Sequence, residues 1–196
     1  MRALAVLLIW LAAPAFATQD AWPALFDVTG VAVNDVLNIR SAPDAGAAIL
    51  GTLAPDATGV EVIAPNDTET WGQVNVGEGV GWVSLTFLDR RPGQWTYSHP
   101  QVTRCFGTEP FWTLHVAPQA AFLTPAGTTP GTLRSRQTPL ANLTRHGLTV
   151  DLADRTFRGV LMRNRCSDGM SDRAYGIEVV AFHGNEMLAG CCTLAR

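Results

Sequence analysis

The chain has 196 residues, with 14 basic and 17 acidic side chains, a net charge of −3, 18 glycines and 12 prolines. Few charges beside 47% hydrophobic residues exclude a disordered chain, and the arginines, which supply every basic side chain, are too scattered for nucleic-acid or other polyanion binding. This is the composition of a compact β protein, at a length for one large or two small domains.

Met1 to Ala17 reads as a secretory signal peptide. Arg2 gives the positive start, Ala3 to Ala13 the apolar run, and Ala15-Phe16-Ala17 the small-x-small cleavage site. The run is short of the ~20 residues of a spanning helix and no later segment comes closer, so no stable membrane span is expected after cleavage. At the cleavage point stand Ala17, Thr18 and Gln19, with no cysteine to accept a lipid. Export to the periplasm or beyond predicts that the four cysteines pair. A Cys191–Cys192 bridge would strain the peptide between them, since neighbouring Cα atoms sit at ~3.8 Å and disulfides want roughly 4.4 Å or more. Two connectivities remain. If the adjacent pair ends a strand, its side chains point to opposite faces and the two bridges tie different layers to that strand.

In the lead-in, Trp22-Pro23 argues against helix, because the residue before proline is pushed towards extended geometry. Phe26 to Val33 alternates apolar with polar or small residues and predicts a half-buried strand. A turn is signalled at Ala42 to Gly46. Five blocks then stand in order: Leu37-Asn38-Ile39-Arg40-Ser41-Ala42-Pro43, Ile49-Leu50-Gly51-Thr52-Leu53, Gly59-Val60-Glu61-Val62-Ile63, Trp71-Gly72-Gln73-Val74, and Gly81-Trp82-Val83 with Leu85, Phe87 and Leu88. Over about Val28 to Leu88 this string resembles the bacterial SH3-like domain, placed at residues 26–90. The resemblance implies a small, strongly bent barrel of roughly five to seven short strands. It also implies a cell-wall or peptide-binding module, with peptidoglycan or an envelope protein as partner.

The residues themselves agree. Leu37 and Ile39 bury one face of their strand while Asn38 and Arg40 offer polar groups on the other, and Gly81 leaves room for close packing beside Trp82. Trp71 and Trp82 are read first as core fillers and second as ligand-stacking rings. Asn38, Arg40, Trp71 and Trp82 are the candidate binding residues of this half. Asn66-Asp67-Thr68 and Asn142-Leu143-Thr144 match the glycosylation sequon but are read as ordinary loop residues.

Residues 91–100, opening on Arg91-Pro92-Gly93, form the expected linker, and 101–196 a second domain. A Glu109-Pro110 turn precedes a strand from Phe111 to Val116 with Trp112, Leu114 and Val116 on one face. Further strands are expected at Ala121 to Leu123, Leu148 to Leu152, Phe157 to Met162, Ile177 to Phe182 and Glu186 to Cys191, the last two joined as a hairpin by His183-Gly184-Asn185. No stretch has a helical period. The fold expected is all-β: a small SH3-like barrel followed by a disulfide-stapled antiparallel β-barrel or sandwich.

Three strings, Gly107-Thr108-Glu109-Pro110-Phe111-Trp112, Cys166-Ser167-Asp168-Gly169-Met170-Ser171-Asp172-Arg173 and Gly190-Cys191, resemble a family of poorly characterised bacterial envelope proteins and lipoproteins. Its members are small β domains, at times fused to domains of the heat-shock META or lysozyme-inhibitor type. The chain departs from the commoner pattern in Tyr175-Gly176, where Tyr-Pro is usual, and in the extra thiol of Cys192. That extra thiol implies bridges Cys166–Cys191 and Cys105–Cys192.

The loop from Cys166 to Arg173 has two readings. In the first, Asp168 and Ser171 bond backbone amides, Gly169 takes the positive-φ position and Met170 plugs the core. In the second, Glu109, His115, Asp168, Asp172 and Arg173 gather into an acid–base or metal site, although the spacing lacks the oxygen ligands of a calcium loop. Glu109, Trp112, Asp168, Asp172 and Arg173 are therefore the candidate binding residues of this half. No nucleophile elbow, phosphate loop or dinucleotide fingerprint is present, and no catalytic residue, cofactor or metal is expected. The function expected is that of an exported, non-enzymatic envelope protein. The alternatives are an inhibitor of a lysozyme-type muramidase, or a hydrolase using Glu109 with Asp168 or Asp172.

Overall fold

A computed structural model describes residues 20–139 and 144–195. The signal expected at Met1 to Ala17 and the sequon asparagine Asn142 lie outside them. The described chain is all-β, in two units.

The first unit holds β1 (Ala24–Val28), β2 (Leu37–Arg40), β3 (Ile49–Leu53), β4 (Val60–Val62), β5 (Ala64–Pro65), β6 (Trp71–Val76), β7 (Gly79–Ser84) and β8 (Leu88–Arg90). They form two antiparallel sheets, β4-β1-β8 and β3-β2-β7-β6-β5, that close on one core containing Phe26, Leu37, Ile39, Val62, Val74 and Val83. A Cβ at Gly81 would meet Ile39 Cγ2 at 2.4 Å, so glycine is required where β7 crosses the core. The strand expected over Phe26 to Val33 stops at Val28, because Thr29 turns to donate to the Phe87 carbonyl and Val33 stands exposed. Asn66 accepts the Thr70 and Trp71 amides, both at 2.9 Å, and so holds its own loop.

Residues beyond β8 lie against this unit. The Gln94 side chain accepts the Leu25 amide at 2.7 Å and donates to the Leu25 and Arg91 carbonyls, and Trp95 bridges to Asp20.

The second unit is a closed barrel of eight strands: β9 (Arg104–Thr108), β10 (Phe111–His115), β11 (Gln119–Thr124), β12 (Gly127–Gln137), β13 (Arg145–Leu152), β14 (Thr156–Met162), β15 (Ile177–His183) and β16 (Glu186–Thr193). Each strand pairs antiparallel with the next, and β16 returns to β9, which removes every free edge. The inside is filled by side chains. Trp112, Phe122 and Phe157 form a ring cluster with centroids 5.7–6.1 Å apart, packed with Leu114, Leu148 and Leu161. Two strands are additions to the sequence expectation, β9 and the long β12, whose Gly127-Thr128-Thr129-Pro130-Gly131 start shows no apolar alternation.

Cys105 and Cys192 are register partners, buried in the barrel core, and their bridge closes the β9–β16 seam. Cys191, one residue earlier on β16, takes the opposite face and bridges to Cys166 in the loop after β14. Adjacent cysteines thus tie two layers to one strand.

The units dock along Glu61 and Asn75. Glu61 Oε2 accepts the Thr193 hydroxyl and the amides of Leu194 and Ala195, the last two at 3.1 Å. Asn75 holds Ala174. Among the described residues no helix is long and apolar enough to cross a membrane.

Candidate functional site

The candidate residues fall into two clusters. The first lies on the outward face of the five-stranded sheet. On β2, Leu37 and Ile39 are buried while Asn38 and Arg40 alternate outward. On β6 and β7, Gly72, Val74, Gly81 and Val83 turn in, which puts Trp71, Gln73 and Trp82 on the outward side. Register then fixes a row across the sheet: Arg40 is opposite Trp82, and Trp82 opposite Gln73. Asn38 stands one step along, opposite Thr52. Arg40 Nη1 donates to the Ala47 carbonyl at 2.8 Å, which holds the guanidinium at the turn before β3. The expectation that Trp71 and Trp82 fill the core is corrected: both are half-buried on the outward face, and aliphatic side chains with Phe26 fill the core instead.

The second cluster surrounds a cleft of about 400 Å³ against the outer face of β9, β10 and β11. One wall is β9–β10, with Phe106, Thr108, Phe111 and Trp112; the other is the loop carrying Asp168 and Arg173. The loop is held first by itself. Asp168 Oδ1 accepts the Met170 amide at 3.0 Å and the Ser171 amide at 2.9 Å, and Oδ2 accepts the Ser171 hydroxyl at 2.8 Å. Gly169 has φ +71, the left-handed geometry such a turn needs. Burial raises the Asp168 carboxyl, but these amides, the hydroxyl and the Arg173 charge outweigh it and leave the pKa below the ordinary range. Met170 does not plug the core; it is 69% exposed.

The loop is held next by its surroundings. Thr108 Oγ1 donates to the Asp168 carbonyl at 3.1 Å, Cys166 pairs with Tyr175 through both backbone groups, and Tyr175 stands edge-on to Phe106 at 4.9 Å. Arg173 reaches the first unit, donating to the Gly77 carbonyl at 2.7 Å and to Glu78 at 3.1 Å.

The structure thus brings Trp112, Asp168 and Arg173 to one cleft and leaves Glu109 and Asp172 exposed outside its lining. Trp112 is 3% exposed and its indole nitrogen has no partner among the described residues. His115 lines a different hollow. Arg104 and Phe106 belong to the cleft and are absent from the expected site residues; Tyr175, notable in the sequence only for the glycine after it, joins them. The alternation Arg104-Cys105-Phe106 was their signal, hidden because β9 is a short strand ahead of a turn. Among the described residues no group of three or more His, Cys, Asp or Glu side chains is placed to hold a metal. Comparison with protein-family models, curated proteins and solved structures finds no match.

Proposed function

We propose that the protein is an exported, non-enzymatic component of the bacterial cell envelope. Its first unit, read as an SH3-like domain, binds peptidoglycan or a protein partner, and the closed barrel acts as a rigid second module. The observation that carries this is the row of Arg40, Trp82 and Gln73, with Trp71 beside it, on the outward sheet face. Indole rings are costly to leave half in water and offer flat apolar faces with a polar N–H edge, while guanidinium adds planar donors; together they suit a polar ligand with apolar faces. Two disulfides are compatible with an oxidising compartment, and the periplasm is the compartment we assign.

The hydrolase alternative draws no support from the carboxylates. Both Asp168 oxygens are engaged within their own loop, and Glu109 lies outside the cleft. A general acid needs a raised pKa, and that of Asp168 is lowered.

Co-sedimentation of residues 18–196 with purified sacculi tests the proposal. Wild type is expected to sediment, with Trp82→Ala and Arg40→Ala each weakening retention by about tenfold. Absence of wild-type retention removes the wall as ligand. Retention untouched by either substitution removes the sheet face.

A further inference from the structure

Three hollows adjoin one another, two lined by residues of both units and one by the barrel alone. The cleft at Asp168 shares Arg104, Arg173 and Tyr175 with a hollow of about 360 Å³ beside Glu61. That hollow shares Gly59, Arg104, Thr193 and Ala195 with a groove of about 1090 Å³ between the units. Among the described residues Arg104 is the one that lines all three.

The arginines along this trough differ in what neutralises them. Arg91 is bound to both oxygens of Asp27, and Arg173 to Glu78. Among the described residues Arg136 donates only to the Pro100 and Val102 carbonyls, at 3.4 and 3.2 Å, which accept hydrogen bonds without cancelling its charge. Arg104 is exposed, lies 5.0 Å over the Phe106 ring and has no carboxylate within 4.0 Å among the described residues. No Asp or Glu lines the large groove. The nearest carboxylates are engaged elsewhere, Glu61 by Thr193 to Ala195 and Asp168 by its own loop.

Apolar side chains line the hollows beside these charges. The half-buried Leu25 and Leu133 line the groove, and Phe106 and Phe111 the cleft. We infer that the trough between the units is a second binding site, for an extended peptide whose carboxylate is received by Arg104. Guanidinium and carboxylate match in a planar, two-bond geometry, and an extended chain sends alternate side chains to opposite walls. Two arginines without an ion-pair partner among the described residues are too few for a nucleic-acid backbone, whose binding rests on many phosphate contacts. The site is independent of the sheet face, since neither Arg40 nor Trp82 lines the trough.

The test offers immobilised protein, residues 18–196, two degenerate C-terminally amidated hexapeptide libraries that differ only in Glu or Gln at one fixed position. Retained peptides are counted by mass spectrometry. The Glu library is expected to be retained about tenfold better, the return for one charge-assisted contact. Arg104→Gln should abolish the preference, Arg104→Lys should keep part of it, and Trp82→Ala should keep all of it. Equal retention of the two libraries, or a preference that survives Arg104→Gln, overturns the proposal. A measurement on the unaltered protein guards against a misfolded variant: the retained peptides should shift the amide resonances of Arg104, Thr193 and Ala195, and shifts confined to the Trp71–Trp82 face would overturn it.

Discussion

Asn75 binds Ala174 through both of that residue's backbone groups: Asn75 Nδ2 donates to the Ala174 carbonyl at 2.9 Å and Asn75 Oδ1 accepts its amide at 3.0 Å. A side chain on β6 therefore stands where a neighbouring strand would. Next to it the Asp172 amide donates to the Glu78 carbonyl at 2.9 Å and Arg173 grips Gly77. The loop stapled by Cys166–Cys191 is thus joined to the β6–β7 hairpin over a short stretch of backbone.

Asn75→Ala should destabilise the docked protein by about 2 kcal/mol or more, because Ala174 is buried and both of its backbone groups would lose their partner. Asn75→Asp should also destabilise, since it keeps one acceptor but sets a carboxylate oxygen against a carbonyl. Urea unfolding of the full protein measures the first effect, and exchange of the Ala174 amide localises it. A wild-type midpoint for Asn75→Ala would mean that this pairing does not hold the units together.

Glu61 is the second clamp. Its Oε2 has three donors from Thr193 to Ala195, while its Oε1 is buried without a partner among the described residues. Burial raises its pKa, with the Thr193 hydroxyl, the Ala195 and Leu194 amides and the Arg104 charge acting against it. For a carboxyl raised on folding, its contribution to stability is complete below the ordinary value and is lost as pH rises through the folded value. Glu61→Gln keeps an acceptor and has no charge to bury, so it should match or exceed wild-type stability at neutral pH and remove this part of the pH dependence. Glu61→Ala leaves three donors unpartnered and should cost about 2–4 kcal/mol. Thermal melts from about pH 4 to about pH 8 separate the two. A Glu61→Gln protein much weaker than wild type at neutral pH would show that the ionised form is the favoured one.

How much of this was legible in the sequence varies by element, for physical reasons. Strands β2, β10 and β13 to β16 show in the sequence because each buries one face, so burial and period coincide. Strand β12 does not: Thr128, Thr129 and Pro130 carry no apolar stripe, and the strand is held by partners on both sides, β11 and β13. Ring size points Trp71 and Trp82 inward, but the same strand alternation that turns Asn38 and Arg40 outward turns them outward too. The loop chemistry of Asp168 and Gly169 is local and was readable, whereas Met170 depended on where the loop lies. Glu61 and Asn75 carry no local signature, since their partners are more than a hundred residues away for Glu61 and 99 for Asn75.

The two disulfides should differ in weight. Cys105–Cys192 spans 87 residues and lies in the barrel core, while Cys166–Cys191 spans 25. Loop-closure entropy assigns about 4.6 kcal/mol to the first and about 3.5 kcal/mol to the second. Cys105→Ala/Cys192→Ala should also open the β9–β16 seam and so exceed this difference. Cys166→Ser/Cys191→Ser should leave the barrel closed and loosen chiefly the loop, seen as faster amide exchange at Ser171 and Tyr175 with the β9 amides unchanged. Equal losses of stability, or exchange spread over the whole barrel in the second variant, would show that the loop bridge also carries the barrel.

His146 supplies an acid-side dependence opposite in sign to that of Glu61. It is 1% exposed on β13, neither ring nitrogen has a partner among the described residues, and the His99 ring lies 5.3 Å away. Burial, aided by the charges of His99 and Arg163, lowers its pKa to about 4, and burial lowers His99 as well. A base lowered on folding stays neutral in the barrel while the unfolded chain takes up a proton near its ordinary value of about 6.5. Stability is therefore complete above about pH 6.5 and is lost as pH falls to about 4, a change of about 3 kcal/mol for His146. His146→Leu fills a similar space with no group to protonate, so its unfolding free energy should lose this acid-side fall and keep only the share of His99 and the opposite slope of Glu61. Urea titrations at about pH 7, 5.5 and 4 measure the slope. An unchanged slope in His146→Leu would place the acid sensitivity in other groups and leave His146 either protonated in the fold or reached by water.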